Sequence, residues 1–213
     1  MRDLVLLAVV GVLLIAALAA GAGALYREFY SPSAFVLRYL SLLEQGRAAD
    51  ALAVPGVALD SSELADAGLP QTASEALLRR AALTSLSDVE VVSETTDGTD
   101  TDVAVRFVAG GHAGEVTFAV AGADSAGPLP MWRFARSPLA VIDLHVSGSM
   151  VFEVNGFTVD KRQVSIDGAE TDPDASFPLL VFSPGLYAVS WSIWSSCEWA
   201  VSVASVGSTG AEF

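Results

Sequence analysis

The change from a helical to an alternating pattern after Ser85 is the feature that most constrains how this chain can fold. Beyond it, apolar and polar side chains alternate in three successive stretches, which is the period of a β-strand with one buried face. The apolar rows are Val89 and Val91, then Val103, Val105 and Phe107, then Val116, Phe118 and Val120. Three matched rows separated by short turns predict an antiparallel meander with one face against a core.

Two adjacent glycines set the register of the second hairpin in this meander. A two-residue turn of Gly110 and Gly111 suits the twist of paired strands. It aligns the apolar rows and places an opposite-charge pair on the other face. The predicted pairs are Arg106 with Glu115, Val105 with Val116, and Val103 with Phe118.

The first hairpin of the meander allows two turns around Gly98. A two-residue turn of Asp97 and Gly98 would set the charged Glu90 against Val105. A three-residue loop over residues 96–98 aligns the apolar rows instead and leaves Gly98 free to adopt a positive φ. We predict the longer loop. Its pairs are Val89 with Val105 and Val91 with Val103.

Helices are predicted before the meander. Ser31 is a capping hydroxyl, Pro32 suits the first helical position, and Gly46 offers an end. The segment between the later helices reads as a loop. The predicted elements are a helix from Pro32, shorter helices over residues 47–54 and 74–83, and a fourth strand over residues 131–135.

The second half of the chain, residues 137–213, predicts a small all-β unit. Its first strand alternates, with Ile142 and Leu144 on one face and Asp143 and His145 on the other. A tight turn at Asn155-Gly156 predicts a hairpin. The hairpin pairs are Val154 with Phe157, Phe152 with Val159, and Glu153 with Thr158; a later turn is centred on residues 195–197.

The N-terminal stretch, residues 4–26, carries no charged side chain. At about 1.5 Å per residue it gives roughly 34 Å of helix, enough to cross a hydrocarbon core of about 30 Å. We therefore predict a transmembrane anchor over residues 1–29, with the N-terminus cytoplasmic and the rest extracytoplasmic. A cleaved signal peptide ending near Ala24 is the alternative. Small residues such as Ala17 and Gly21 suggest helix self-association.

Composition excludes several kinds of function. The 25 acidic residues against 11 basic ones give a formal charge of −14, which repels phosphate and argues against nucleic acid as a partner. Two histidines and one cysteine, widely separated, do not supply a structural zinc site, and no cofactor motif is present. Asp143 and His145 are predicted to be exposed strand residues rather than an acid–base pair.

A resemblance follows from the order of these elements. The opening helix SAFVLRYLSLLEQGRAADALAV, the strand TDVAVRFVA and the closing MWRFA resemble exported domains of the nuclear transport factor 2-like superfamily. The resemblance implies helices covering a curved antiparallel sheet, with a cavity between them. Tyr39, Phe107 and Trp132 are the residues predicted to line that cavity.

The second half carries its own resemblance. The VNG hairpin and the later Pro-Gly-x-Tyr strand resemble the β modules of teicoplanin-resistance-associated and other bacterial cell-envelope membrane proteins. The full prediction is thus a transmembrane helix, an α+β domain over residues 30–136 and a small all-β domain over residues 137–213.

The expected function is that of a single-pass, membrane-anchored cell-envelope protein acting as a non-catalytic binding or interaction module. Its expected partners are the membrane, through residues 4–26, and another envelope protein or a small-molecule ligand. An exported enzyme using the helix–sheet cavity is one alternative, and a purely structural stalk is the other. The strands direct mainly valine and phenylalanine toward the cavity, which favours binding over catalysis.

Overall fold

The computed structural model describes residues 2–66, 69–123, 130–168, 171–193, 195–203 and 208–212. Within these residues the chain is mostly β-sheet, and its helices are few. The helices are α1 (Arg2–Phe29), α2 (Pro32–Glu44), α3 (Ala48–Leu52), α4 (Ser61–Asp66) and α5 (Lys161–Val164), with 3₁₀ turns at Glu75–Leu77 and Arg80–Ala82.

The strands form three sheets in the described part of the chain. The first sheet is a meander of β1 (Leu86–Asp97), β2 (Asp100–Ala109), β3 (His112–Ala123) and β4 (Met131–Phe134), in that order. The second sheet has the order β10 (Ser195–Val203), β9 (Gly185–Ile193), β6 (Val151–Val154) and β7 (Phe157–Asp160). The third sheet has the order β11 (Ser208–Glu212), β5 (Leu139–His145) and β8 (Ser176–Phe182), with β11 parallel to β5.

The predicted register of β2 and β3 is confirmed. Arg106 pairs with Glu115, Val105 with Val116 and Val103 with Phe118. Gly110 and Gly111 both adopt positive φ, at 53° and 85°, as the two-residue turn requires. The charged pair lies on the exposed face, with its nearest nitrogen and oxygen atoms 4.0 Å apart.

The predicted register of β1 and β2 is wrong. Asp97 pairs with Asp100, so the turn residues are Gly98 and Thr99, and Val91 pairs with Val105. Two irregularities in β1 shift the ladder, and Asp88 takes a positive φ of 51° at one of them. A bulge inserts a residue into one strand, which a strict count of alternating positions does not anticipate. Gly98 does adopt a positive φ, of 62°.

Helix α2 begins as predicted and covers the first sheet. The Ser31 hydroxyl accepts a hydrogen bond from the Ala34 amide at 3.1 Å, and Pro32 occupies the first turn. Val36, Tyr39 and Leu40 are fully buried against the sheet. This packing builds a first core between α2 and the valines and phenylalanines of β2, β3 and β4.

The third sheet lies between two cores. Leu139 and Val141 of β5 belong to the first core, whereas Ala140 and Ile142 belong to a second core. Alternate residues of β8 also pack into different cores: Leu180 and Phe182 into the first, Leu179 and Val181 into the second. A sheet buried on both faces explains the continuous apolar runs LAVI in β5 and LLVF in β8, and β5 shows the predicted alternation only from Ile142 onward.

The hairpin of β6 and β7 is confirmed in register. Val154 pairs with Phe157, Phe152 with Val159 and Glu153 with Thr158. The later hairpin does not turn at the predicted centre over residues 195–197, because Ser195 already pairs with Ile193. Residue 194 lies outside the described residues.

The N-terminal transmembrane helix predicted for residues 1–29 is wrong. Within the described part of the chain, no helix combines the length and the apolar character needed to cross a membrane. The prediction of a single-pass membrane protein, which depends on this helix, is therefore wrong as well.

The helical content of residues 47–83 also differs from the prediction. The helix predicted over residues 74–83 is replaced by two 3₁₀ turns, because Leu78 and Arg79 leave the helical backbone region between them. Helix α4 lies where a loop was predicted. Its start is a capping box, in which Asp60 accepts from the Glu63 amide and Glu63 accepts from the Asp60 amide, each at 2.8 Å.

Candidate functional site

Tyr39 and Phe107, two of the three predicted cavity residues, lie in the first core. Tyr39 is fully buried, and its hydroxyl donates to the Ser183 carbonyl at 3.1 Å. Burial raises the pKa of this hydroxyl well above its usual value, and a charge on Tyr187 would raise it further. The Tyr39 ring packs edge-on against Phe134 at 5.1 Å between centroids. Tyr39 therefore ties the first core to the end of β8.

Trp132, the third predicted residue, is only partly buried and packs against the same core. Its indole nitrogen donates to the Tyr30 carbonyl at 2.8 Å, just before α2 begins. The three residues thus belong to one cluster of packed side chains. That this cluster also lines a ligand cavity stays a prediction.

A groove of about 450 Å³ lies elsewhere, beside β7. Its lining mixes polar and apolar side chains from the 3₁₀ region and from the β7–α5 corner. None of Tyr39, Phe107 and Trp132 contributes to it. The lining residues are Leu52, Ser74, Glu75, Ala76, Leu78, Arg79, Phe157, Thr158, Val159, Asp160, Gln163 and Val164.

One wall of the groove, residues 74–79, is fixed to the third sheet. The Ser74 amide donates to the Pro178 carbonyl at 2.8 Å, and the Leu180 amide donates to the Ser74 carbonyl at 2.9 Å. Ser74 also caps the following 3₁₀ turn, accepting from the Ala76 amide at 3.3 Å. These bonds hold the segment along β8 and leave its outer side facing β7.

The other wall is the β6–β7 hairpin, and Asn155 holds it in place. Its side-chain nitrogen lies 2.7 Å from the Ala82 carbonyl and 2.9 Å from the Leu186 carbonyl, and its oxygen accepts from the Ala188 amide at 2.9 Å. Asn155 and Gly156 adopt positive φ, at 51° and 80°. The turn therefore also joins the hairpin to the first half of the chain and to β9.

Arg79 is the cationic group of the groove. Its guanidinium carbon lies 4.8 Å from the centroid of the Phe157 ring, a cation–π stacking distance. Arg79 is exposed, and no ion pair joins it to a described carboxylate. Because Arg79 also lines the groove, its guanidinium is available there to bind a carboxylate or a carbonyl.

Asp160 closes the groove at the α5 end. Its carboxylate is bound by the Arg162 side chain, with Arg162 Nη2 2.8 Å from Oδ2, and it caps α5 through the Arg162 amide at 3.0 Å. The hydrogen bond from the Arg162 side chain is the main reason that the pKa of Asp160 is lowered, and the Arg162 amide adds to it. Asp160 is therefore an ionised, already partnered carboxylate.

Lys161 stands behind this corner and is fully buried. Its ammonium donates to the carbonyls of Val146 and Pro173 and lies 5.6 Å from the centroid of the Phe177 ring. Burial lowers the pKa of Lys161, and the charges of Asp174 and Asp172 oppose that shift. Lys161 holds together three segments of backbone and does not face the groove.

The groove is lined by three titratable side chains, Glu75, Arg79 and Asp160. Asp160 is held by Arg162, Arg79 lies over the Phe157 ring, and Glu75 is exposed. Outside it, the His145 ring nitrogens lie 3.0 Å from the Ser147 hydroxyl and 3.3 Å from the Ser176 hydroxyl, and Asp143 is exposed. Among the described residues, no three histidine, cysteine or acidic side chains are placed to hold a metal ion.

Sequence reasoning did not find the groove. Its residues carry no motif. The groove forms because β7 is the end strand of the second sheet and residues 74–79 run beside β8 of the third sheet. The one local signal was Asn155-Gly156, which located the hairpin but not the gap beside it.

No protein-family model matches the chain, and no curated protein or solved structure shows significant similarity to it. The resemblances to nuclear transport factor 2-like domains and to cell-envelope β modules stay predictions.

Proposed function

We propose that this protein is a non-catalytic binding module and that the groove beside β7 is its binding site. The observation that carries the proposal is the groove itself, about 450 Å³ in volume, with an arginine stacked on an aromatic ring in its wall. Ligand sites typically combine an apolar lining with a few placed polar groups, and their volumes start at about 300 Å³. The expected location of the module outside the cytoplasm stays a prediction.

Apolar and polar groups divide the work in such a site. Phe157 and Leu78 are half-buried and offer contact area, while Arg79 and Gln163 offer donors at the rim. The alternative of an exported enzyme needs an acid–base pair directed at a substrate. The carboxylate of Asp160 is occupied by Arg162, and the exposed Glu75 has no second acid or base to pair with in the described lining, so the groove supports binding better than catalysis.

Spectroscopy on the full chain tests this proposal. A set of carboxylate-bearing and amide-bearing fragments is titrated while the backbone amide resonances are followed. We expect shifts concentrated at Thr158, Gln163 and Arg79, because these residues border the groove.

A bulky substitution at the exposed Gln163 provides the matched loss of function. Gln163→Trp fills the groove, so the fragment-induced shifts should disappear while the protein stays folded. Thr95→Trp, on the exposed strand β1, is the control and should bind as wild type does. If no fragment shifts the groove resonances, or if Gln163→Trp binds unchanged, the groove is not the binding site.

A further inference from the structure

Strand β7 is the end strand of the second sheet and pairs only with β6 among the described strands. All four of its residues border the groove. The groove therefore runs along an open sheet edge, where one row of backbone amides and carbonyls has no partner strand.

The pairing pattern shows which backbone groups face that edge. In an antiparallel pair, hydrogen-bonded positions alternate with positions whose amide and carbonyl point to the opposite side. The Lys161 amide donates to the Met150 carbonyl at 2.9 Å, so Lys161 is a hydrogen-bonded position, and Val159, two residues earlier, is one as well. Thr158 lies between them, and its amide and carbonyl point into the groove.

The pairing of β6 with β9 independently gives the same alternation of hydrogen-bonded positions. The Asn155 amide donates to the Ala188 carbonyl at 2.9 Å, so the odd-numbered residues of β6 bond toward β9. Its even-numbered residues therefore bond toward β7, and they meet Phe157 and Val159 there. Both ladders leave Thr158 directed away from the sheet.

The opposite wall does not fill this edge. The backbone bonds of Ser74 go to Pro178 and Leu180 on β8, so residues 74–79 face β7 across the groove without joining its sheet. The four residues of β7 at about 3.3 Å each give an edge about 13 Å long. A short extended backbone is the ligand shape that matches an edge of this length with a wall opposite.

Charge narrows the ligand further. Arg79 stacks on Phe157 beside the edge and is joined to no described carboxylate by an ion pair. A planar guanidinium held in this way binds a carboxylate through two parallel N–H bonds. Of the acidic side chains that also line the groove, Asp160 is bound by Arg162 and Glu75 is exposed, so a carboxylate on the ligand is recognised at Arg79 alone.

We infer that the groove binds an extended, carboxylate-bearing peptide segment of a partner protein, which adds to the second sheet along β7. Thr158 supplies an amide and a carbonyl to the peptide backbone, and Arg79 binds its carboxylate. This is strand addition, in which the main chain gives affinity and the side chains give specificity. The inference rests on the proposed binding function and names the chemistry of its ligand.

The test uses a phage-displayed library of random seven-residue peptides selected against the full chain, followed by synthesis of a selected peptide. Thr158→Pro deletes the outward amide, and it leaves the β6–β7 ladder intact because that amide takes no part in it. We expect Thr158→Pro to weaken binding at least tenfold and Thr158→Val to bind within about twofold of wild type. Arg79→Ala should weaken binding and reduce its dependence on salt.

A second measurement, on the wild-type protein, tests strand addition even if Thr158→Pro misfolds. N-methylation of alternate peptide amides should abolish binding at one set of positions and spare the other, because alternate amides of a strand face opposite sides. Equal tolerance at all positions, or wild-type affinity in a folded Thr158→Pro variant, overturns strand addition. If fragments bind the groove but no library peptide does, the strand-addition inference is wrong and the proposed binding function stands. If neither fragments nor peptides bind, both proposals are wrong.

Discussion

The two end strands β1 and β7 protect their sheets in different ways. Strand β1 is long, carries two irregularities and presents acidic side chains along most of its exposed length. Bulges and charges of this kind discourage another strand from pairing. Strand β7 is four residues long, regular and bordered by a groove. One edge is built against pairing, whereas the other leaves room for a single narrow strand.

The difference shows that an open edge is defined by what surrounds it. Glu94 of β1 accepts hydrogen bonds from the amide and the hydroxyl of Ser33, the amide bond being 3.2 Å long, so the start of α2 lies against that strand. At β7, the nearest segment is held away by its bonds to β8. Three substitutions test this difference between the two edges, given in decreasing order of expected effect.

Asn155→Gly should destabilise the protein most, by about 3 kcal/mol. Glycine keeps the positive φ of the turn, but it deletes the side-chain bonds to Ala82, Leu186 and Ala188 that fix β7 beside the groove. Denaturant unfolding measures the change. Gly98→Asn, in the β1–β2 turn, is the matched control, because a side chain there meets open space. The φ of 62° at this position is a backbone conformation that a side chain adopts at a cost, so this variant should lose up to about 1 kcal/mol. Similar losses in both variants would mean that Asn155 acts only as a turn residue.

Lys161→Met should cost about 2 kcal/mol, because it leaves the carbonyls of Val146 and Pro173 buried without their donor. The cost should also depend on pH. Burial lowers the pKa of Lys161 in the folded state, so the unfolded state binds more protons between that value and about 10.5. The stability contributed by the lysine therefore rises as pH increases through this window.

Denaturant unfolding of wild type and Lys161→Met at pH 8 and at pH 10 checks that sign. The stability difference between the two proteins should be larger at pH 10. A difference that shrinks with pH would mean that the folded state favours the charged lysine. Comparing the two proteins cancels the opposite effect of Tyr39 and Tyr187, whose raised pKa values reduce stability above about pH 10.

Asp88→Gly should have the smallest effect and should stabilise, by up to about 1 kcal/mol. Asp88 holds a positive φ of 51° at an irregularity of β1, a conformation that glycine adopts without steric cost. Thermal unfolding measures the shift. If the variant is less stable than wild type, the aspartate side chain contributes more at that bulge than its backbone costs.

The sequence predicts structure well where adjacent residues decide it. Gly110-Gly111 and Asn155-Gly156 each place a two-residue turn, and both registers followed correctly from it. The β1–β2 register failed because its bulges depend on tertiary packing and leave no sign in the alternation of apolar residues. Helix α4 was recoverable in principle, since Asp60 and Glu63 have the spacing of a capping box.

The candidate site lay beyond sequence reasoning for a different reason. Tyr39 and Phe107 were predicted to line the cavity that the resemblance implies, and the structure places both in the first core. The groove depends on the order of strands in the second sheet, where β6 pairs with β9 and leaves β7 at the end. Residues far apart in the chain decide that order, and no local pattern encodes it.

The third sheet has a mechanical consequence for the whole molecule. Because β5 and β8 contribute side chains to both cores, neither core can unfold without exposing apolar side chains of the other. Cleaving the chain near residue 137 would leave two fragments, each with an exposed apolar surface that favours aggregation. Heat should accordingly melt both cores in one step.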